Sequence, residues 1–169
     1  MGKRVRLHLG SGDRHWPGWL NIDVVGDPDI LSDVRKINLD DECADEISAI
    51  HLFEHIERKD VLSTVSEWKR LLKRNGTISL EMPCLDHVME LWNQGHRKQS
   101  LIGAALLGQS AIGRALFGID EPPTMRHHWC YSKQEIVDLL ERSGFEDIKH
   151  ETPYFHVPER DMRISARKP

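Results

Sequence analysis

Two groups of residues in this 169-residue chain have types and spacings that could do chemistry. The first begins at Leu7-His8-Leu9-Gly10-Ser11-Gly12, an alternating apolar stretch that runs straight into a glycine turn. A strand ending this way leaves backbone N–H groups that no side chain obstructs, so a ligand can approach closely. Asp23 ends the next apolar stretch, Trp19 to Val25, where a carboxylate can accept hydrogen bonds from both ribose hydroxyls of an adenosine. Asp33 ends a third, Pro28 to Val34, within reach of an adenine amino group. Taken singly, the Gly-Ser-Gly turn is as readily a plain tight turn, and each acid a strand-end turn residue. Together they point to a nucleoside ligand.

The second group is histidine-rich. His51-Leu52-Phe53-Glu54-His55 fits the H-x-x-E-H pattern of inverted zinc peptidases. That chemistry needs both histidines on one helical face with the glutamate as base. Here His51 closes a strand-like run, Glu46 to Leu52, which puts the two histidines on different elements. A zinc-dependent hydrolase therefore stands second, and no metal is expected. His127, His128 and Tyr131 fall in a loop ahead of the last helix. A histidine there, or His55, is a candidate general base because imidazole titrates near neutrality. A loop histidine bonded to backbone or solvent is the plainer alternative.

The elements that must position these residues are legible from periodicity. Strands are expected at Val5–Leu9, Trp19–Val25, Pro28–Val34, Glu46–Leu52 and Thr77–Met82. Between the last two, Val61, Leu62, Val65, Trp68, Leu71 and Leu72 recur at helical spacing, predicting a helix over Glu57–Lys73 stopped by Asn75-Gly76. Lys69, Arg70, Lys73 and Arg74 lie on its polar side as a solvated face, and Trp68 and Trp129 are assigned to packing. Residues 86–120 carry glycines at 103, 108, 113 and 118, so short or broken helices are expected there. Ser132-Lys133-Gln134-Glu135 is a capping box opening the last helix, closed by Gly144. Phe145–Glu151 and Met162–Arg167 then read as a terminal antiparallel pair. The alternation predicts an α/β layered sheet in one domain, 1–169.

Composition narrows the classes. A net charge of −4 gives no electrostatic reason for a nucleic-acid partner. Cys43, Cys84 and Cys130 are scattered with no CxxC, which argues against a disulfide framework or cysteine zinc site and fits a cytoplasmic setting. No apolar run approaches the length of a membrane span, and the start is too short in apolar residues for a signal peptide.

These motifs, in this order, resemble the class I S-adenosylmethionine-dependent methyltransferases, and in particular their small, methyltransferase type 11-like members. The matching stretches are LHLGSG at 7–12, GWLNID at 18–23, Asp33-Val34, HLFEHI at 51–56, Leu72–Gly76 leading into TISLEMP, and HHWCYSKQEIVDLLERSGF near the end. The resemblance implies a Rossmann-like sheet, mostly parallel with a terminal antiparallel strand pair. It implies S-adenosylmethionine as cofactor, with Gly10, Ser11 and Gly12 around its methionine part and Asp23 on the ribose. Asp33 and Val34 would meet the adenine, and His51 would lie beside the cofactor. The resemblance does not specify the acceptor; the reaction expected with this cofactor is methyl transfer to an oxygen or nitrogen of a small molecule or glycan, entering under a lid from residues 86–120. His127, His128 or His55 would be the base. Cofactor binding without catalysis remains an alternative reading. A nicotinamide enzyme usually has the fuller GxGxxG and about 20 residues to the acid, whereas thirteen separate Gly10 from Asp23.

Two features depart from the family. Asp13 and Arg14 stand where a third glycine is usual, and only residues 10–18 connect the first two strands, too few for a helical crossover. The early helices must be reduced, the first to a single turn near Trp16-Pro17. Trp16, Trp19 or a second copy in a homodimer would then have to cover that face of the sheet.

Overall fold

The computed structural model describes residues 4–95, 111–119 and 122–169. The strands are β1 (Arg6–Leu9), β2 (Leu20–Asp23), β3 (Ile30–Leu31), β4 (Ala44–Ile50), β5 (Leu72–Pro83), β6 (Glu146–Glu151) and β7 (Asp161–Arg167). The helices are α1 (Val61–Leu71), α2 (Leu85–Asn93), α3 (Ala111–Phe117) and α4 (Lys133–Arg142). Single 3-10 turns lie at Phe53–His55 and Pro123–Met125. Gly103 and Gly108, part of the expected 86–120 insertion, lie outside the described residues.

One seven-stranded sheet runs β3-β2-β1-β4-β5-β7-β6. The pairs β1–β2, β2–β3, β1–β4 and β4–β5 are parallel. Strand β7 is antiparallel to both β5 and β6. The terminal antiparallel pair is thus present, with β7 threaded between β5 and β6 rather than at the edge. The chain leaves β1 toward β2 on one side and returns to β4 on the other, which opens a crevice beyond the carboxyl ends of these strands.

The expected reduction of the early helices is complete: among the described residues none intervenes between β1 and β4. Cover comes from within the chain. His8 stacks on Trp16, whose ring also meets Trp19 edge-on. Arg6 lies over Trp19 and donates to the Gly18 carbonyl. The opposite face buries Leu7, Leu9, Ile22, Ile47 and Leu80 against helix α1, through Val65, Trp68 and Leu71. Trp68 also donates its indole N–H to the Val34 carbonyl.

Several boundaries shift for identifiable reasons. Helix α1 ends at Leu71 because Leu72 turns extended and begins β5 at once. Asn75-Gly76 is therefore not the helix stop. Asn75 takes φ +62 inside β5, where its N–H donates to Lys168 and Lys168 donates back to Gly76. Leu62 faces outward at 50% exposure. Two of the four basic residues are tethers: Lys69 holds the Ser143 and Gly144 carbonyls, and Arg70 pairs with Glu67 and Asp41, whereas Lys73 and Arg74 lie in β5, Lys73 beside Asp45 and Arg74 exposed. Trp129 stays at the surface under the Arg58 guanidinium, while Trp68 is fully buried. The Ser132–Glu135 capping box forms as expected. No helix among the described residues is long and apolar enough to cross a membrane.

Candidate functional site

The crevice is a cleft of about 630 Å³, and Gly10, Ser11, Gly12, Asp23, Asp33 and Val34 all stand in its wall. So do His51, His55 and His128, whereas His127 sits behind the wall at 9% side-chain exposure.

The glycine turn is built by backbone demands. Gly10 and Gly12 take φ +66 and +50, a region side chains disfavour. A Cβ at Gly10 would lie 2.8 Å from Leu52, so this glycine is also required by packing. A Cβ at Gly12 would meet nothing within 4 Å, so the space over that residue is open. The Gly12 N–H donates to Asp23 Oδ2 at 2.8 Å, while Oδ1 accepts from Val24 and Val25. The strand-end acid is thereby fixed on the rim.

Asp33 is placed differently from expectation. Strand β3 ends at Leu31, and Asp33 lies beyond it in a turn, gripped by the Arg35 guanidinium at 2.6 Å. The bond from Arg35 holds its carboxyl below the ordinary range. Both its oxygens accept from Arg35, yet the Asp33 side chain stays 42% exposed in the cleft wall beside the largely buried Val34.

His51 follows β4 at φ +49, rare for a residue with a side chain, and its N–H donates to the Glu81 carbonyl. The ring bridges two buried acids: Nδ1 lies 2.9 Å from Glu54 Oε1, and Nε2 lies 3.1 Å from Asp161 Oδ2. Burial pushes the imidazole pKa down, but the two carboxylates outweigh it and raise it to about 9. Asp161 is likewise drawn down to about 2, burial being outweighed by His51 and Arg160. His51 is therefore a structural cation at the floor of the cleft. The helical-face arrangement of a zinc peptidase is not formed, since His51 precedes the 3-10 turn that carries His55.

Comparison with known proteins bears on this geometry directly. Residues 20–80 match the family model described as a methyltransferase domain. Solved structures align over nearly the whole chain. A SAM-dependent methyltransferase from Archaeoglobus fulgidus aligns with TM-score 0.63 at 16% identity, covering 99% of this chain and 87% of that one. A SAM-dependent methyltransferase from Methanosarcina mazei gives TM-score 0.63 at 14% identity, over 99% and 94%. The 1,6-didemethyltoxoflavin-N1-methyltransferase of Burkholderia thailandensis, solved with 1,6-didemethyltoxoflavin and S-adenosylhomocysteine, gives TM-score 0.60 at 13% identity, over 97% and 70%. No curated protein matches the sequence.

This is the fold of the class I S-adenosylmethionine-dependent methyltransferases.

Several residues that line this cleft carry no sequence signal. Phe155 and His156 enter from the β6–β7 loop, and Phe155 stacks on Trp16 with centroids 4.6 Å apart. Glu81, fully buried on β5, accepts the backbone N–H groups of Tyr154, Phe155 and His156 and pairs with Arg163. It thereby fastens the loop over the sheet where early helices are missing. Thr124 and Met125 reach the opposite wall from the second 3-10 turn. Only the tertiary fold brings these residues to the cleft.

Proposed function

We propose that the cleft binds S-adenosylmethionine and that the chain transfers its methyl group to an oxygen or nitrogen of a small-molecule or glycan acceptor. The observation that carries this reading is the pairing of an open glycine turn with a rim carboxylate, Gly12 with Asp23, at the switch point of the sheet. Gly10, Ser11 and Gly12 would flank the methionine part, Asp23 would accept from the ribose hydroxyls, and Val34 would pack against adenine beside Asp33. His51 would lie beside the cofactor as a fixed positive charge.

When bound, the sulfonium cofactor supplies an already electrophilic methyl group. The chain's own task is then chiefly alignment and exclusion of water. Residues 1–169 are taken as one methyltransferase domain, with 86–120 as its lid. A proton leaving the acceptor would pass to a ring nitrogen of His128, which is exposed and stands in the cleft wall. His55 stands there too, but its Nδ1 is bonded to the Arg126 carbonyl. His127, behind the wall with Nδ1 on the Ala115 carbonyl, is not placed to meet an acceptor. The three free cysteines agree with a reducing, cytoplasmic setting. Trp16 and Phe155 cover part of this face from within the chain, and a homodimer would add to that cover.

Incubation with methyl-labelled donor and pools of phenols, amines and sugars tests the reading. Label should enter one pool and be lost with Asp23→Ala. Donor binding without label in any pool would instead favour a binding protein without catalysis.

A further inference from the structure

Glu54 is 1% exposed, yet neither of its carboxylate oxygens has an aligned hydrogen-bond partner. A buried carboxylate without such partners is costly unless a cation compensates it. His51 supplies one at 2.9 Å from Oε1, out of line for a hydrogen bond. Two further histidines converge on the same carboxylate. His127 Nε2 lies 3.9 Å from Oε1, and the His55 ring packs edge-on against His127 with centroids 4.7 Å apart. One ligand atom from each of Glu54, His55 and His127 falls within 4.8 Å of the other two.

The state of the two rings is set by their other nitrogens. His55 Nδ1 sits 2.9 Å from the Arg126 carbonyl, and His127 Nδ1 sits 2.9 Å from the Ala115 carbonyl. A carbonyl only accepts, so each Nδ1 carries the proton and each neutral ring keeps its lone pair on Nε2. Metal-binding histidines are held in this way, by a carbonyl or carboxylate on the far nitrogen.

From this geometry we infer that Glu54, His55 and His127 form a site for a divalent transition-metal ion at the cleft wall. Two imidazoles and one carboxylate favour a borderline ion such as Zn²⁺ or Co²⁺ over Mg²⁺ or Ca²⁺, which prefer all-oxygen shells. Metal–ligand bonds of about 2.0–2.2 Å place tetrahedral ligands roughly 3.3–3.6 Å apart, so the 3.9 Å separation of His127 and Glu54 closes by less than an ångström. The ion would tie the segment before α4 to the 3-10 turn after β4. Three protein ligands leave a coordination position free. Since His55 stands in the cleft wall, that position would take an acceptor hydroxyl, a role that rests on the methyl-transfer reading. The neighbouring cluster of His51, His156 and Asp161 is a poorer site. Asp161 is already held by Arg160 at 2.6 and 2.7 Å and by His51, whose two ring nitrogens face Asp161 and Glu54, so neither residue has a free ligand atom.

The test is to strip the full chain with chelator, titrate it with Co²⁺, and follow visible d–d absorption. S-adenosylhomocysteine binding is measured in parallel. One Co²⁺ per chain is expected, displaceable by Zn²⁺, with affinity at least tenfold weaker in His55→Ala and in His127→Ala. Both variants should keep the wild-type far-ultraviolet dichroism. Absence of absorption changes in the wild type, or equal affinity in the wild type and both variants, would overturn the metal site. Loss of S-adenosylhomocysteine binding in the wild type would instead strike the methyl-transfer reading and leave the cobalt result standing.

Discussion

Phe155 lies flat on Trp16, with centroids 4.6 Å apart and rings 16° from parallel. Trp16 in turn stacks on His8 of β1 at 3.8 Å. This column joins the β1–β2 loop to the β6–β7 loop and stands where a crossover helix would otherwise cover the sheet. An aromatic pair contributes about 0.5–1.5 kcal/mol beyond its buried area. Phe155→Ala should lower unfolding free energy by about 1–2 kcal/mol in urea titration and weaken S-adenosylhomocysteine binding several-fold. Phe155→Tyr should do neither, and an unaltered Phe155→Ala would remove the column's role.

The two glycines of the turn should respond differently to the same change. Both lie at positive φ, where an L side chain costs about 1–2 kcal/mol. At Gly10 the added Cβ also meets Leu52 at 2.8 Å, whereas at Gly12 it meets nothing. Gly10→Ala should therefore lose more stability than Gly12→Ala, by about 1 kcal/mol or more. Gly12→Ala should be felt chiefly in ligand affinity. Paired urea melts and calorimetric titrations separate the two effects.

Glu81 should make the loop over the cleft acid-sensitive. Burial would raise its pKa, but the His156 ring 3.7 Å away, the backbone donors of residues 154 and 155, and Arg163 bring it down to about 2. A depressed carboxylate stabilises the fold fully above its unfolded value near 4.5, and that stability drains away as pH falls toward 2. Wild type should lose more unfolding free energy between pH 5 and pH 3 than Glu81→Gln. At pH 7 the variant should be weaker by about 1–3 kcal/mol, because three backbone donors then share a neutral acceptor.

His51→Asn is expected to be the most damaging change in the cleft. Asparagine tolerates the left-handed backbone found at φ +49. It cannot supply the cation between Glu54 and Asp161, which are 1% and 0% exposed. Breaking a buried charge pair by removing one partner costs about 3–5 kcal/mol. A thermal melt close to wild type would show that the bridge is dispensable.

The parts of this molecule governed by local chemistry were readable in its sequence. The Gly-Ser-Gly turn, Asp23 at the end of β2, and the Ser132–Glu135 cap each depend on neighbours a few residues away, and each formed as expected. The shortness of residues 10–18 also revealed the missing helix, since chain length alone forbids one. Asp33 was read as closing a strand, but β3 stops at Leu31 and Arg35, two residues on, takes its carboxylate. His51 and Asp161 meet across 110 positions, and Glu81 meets Phe155 across 74. No periodicity records such pairings, because they arise only when β5 and β7 lie side by side. Lys69 and Arg70 of α1 deceived for the same reason: besides Glu67 on the same helix, they bond carbonyls and a carboxylate on distant loops.

Isothermal titration of the full chain with S-adenosylhomocysteine, in wild type and Asp23→Ala, bears most directly on the nucleoside site. One equivalent should bind the wild type. Loss of charge-assisted hydrogen bonds worth about 1.5–3 kcal/mol should weaken Asp23→Ala roughly ten- to a hundredfold. No heat of binding in the wild type, or equal affinity in both proteins, would contradict the placement of adenosine against Gly12 and Asp23.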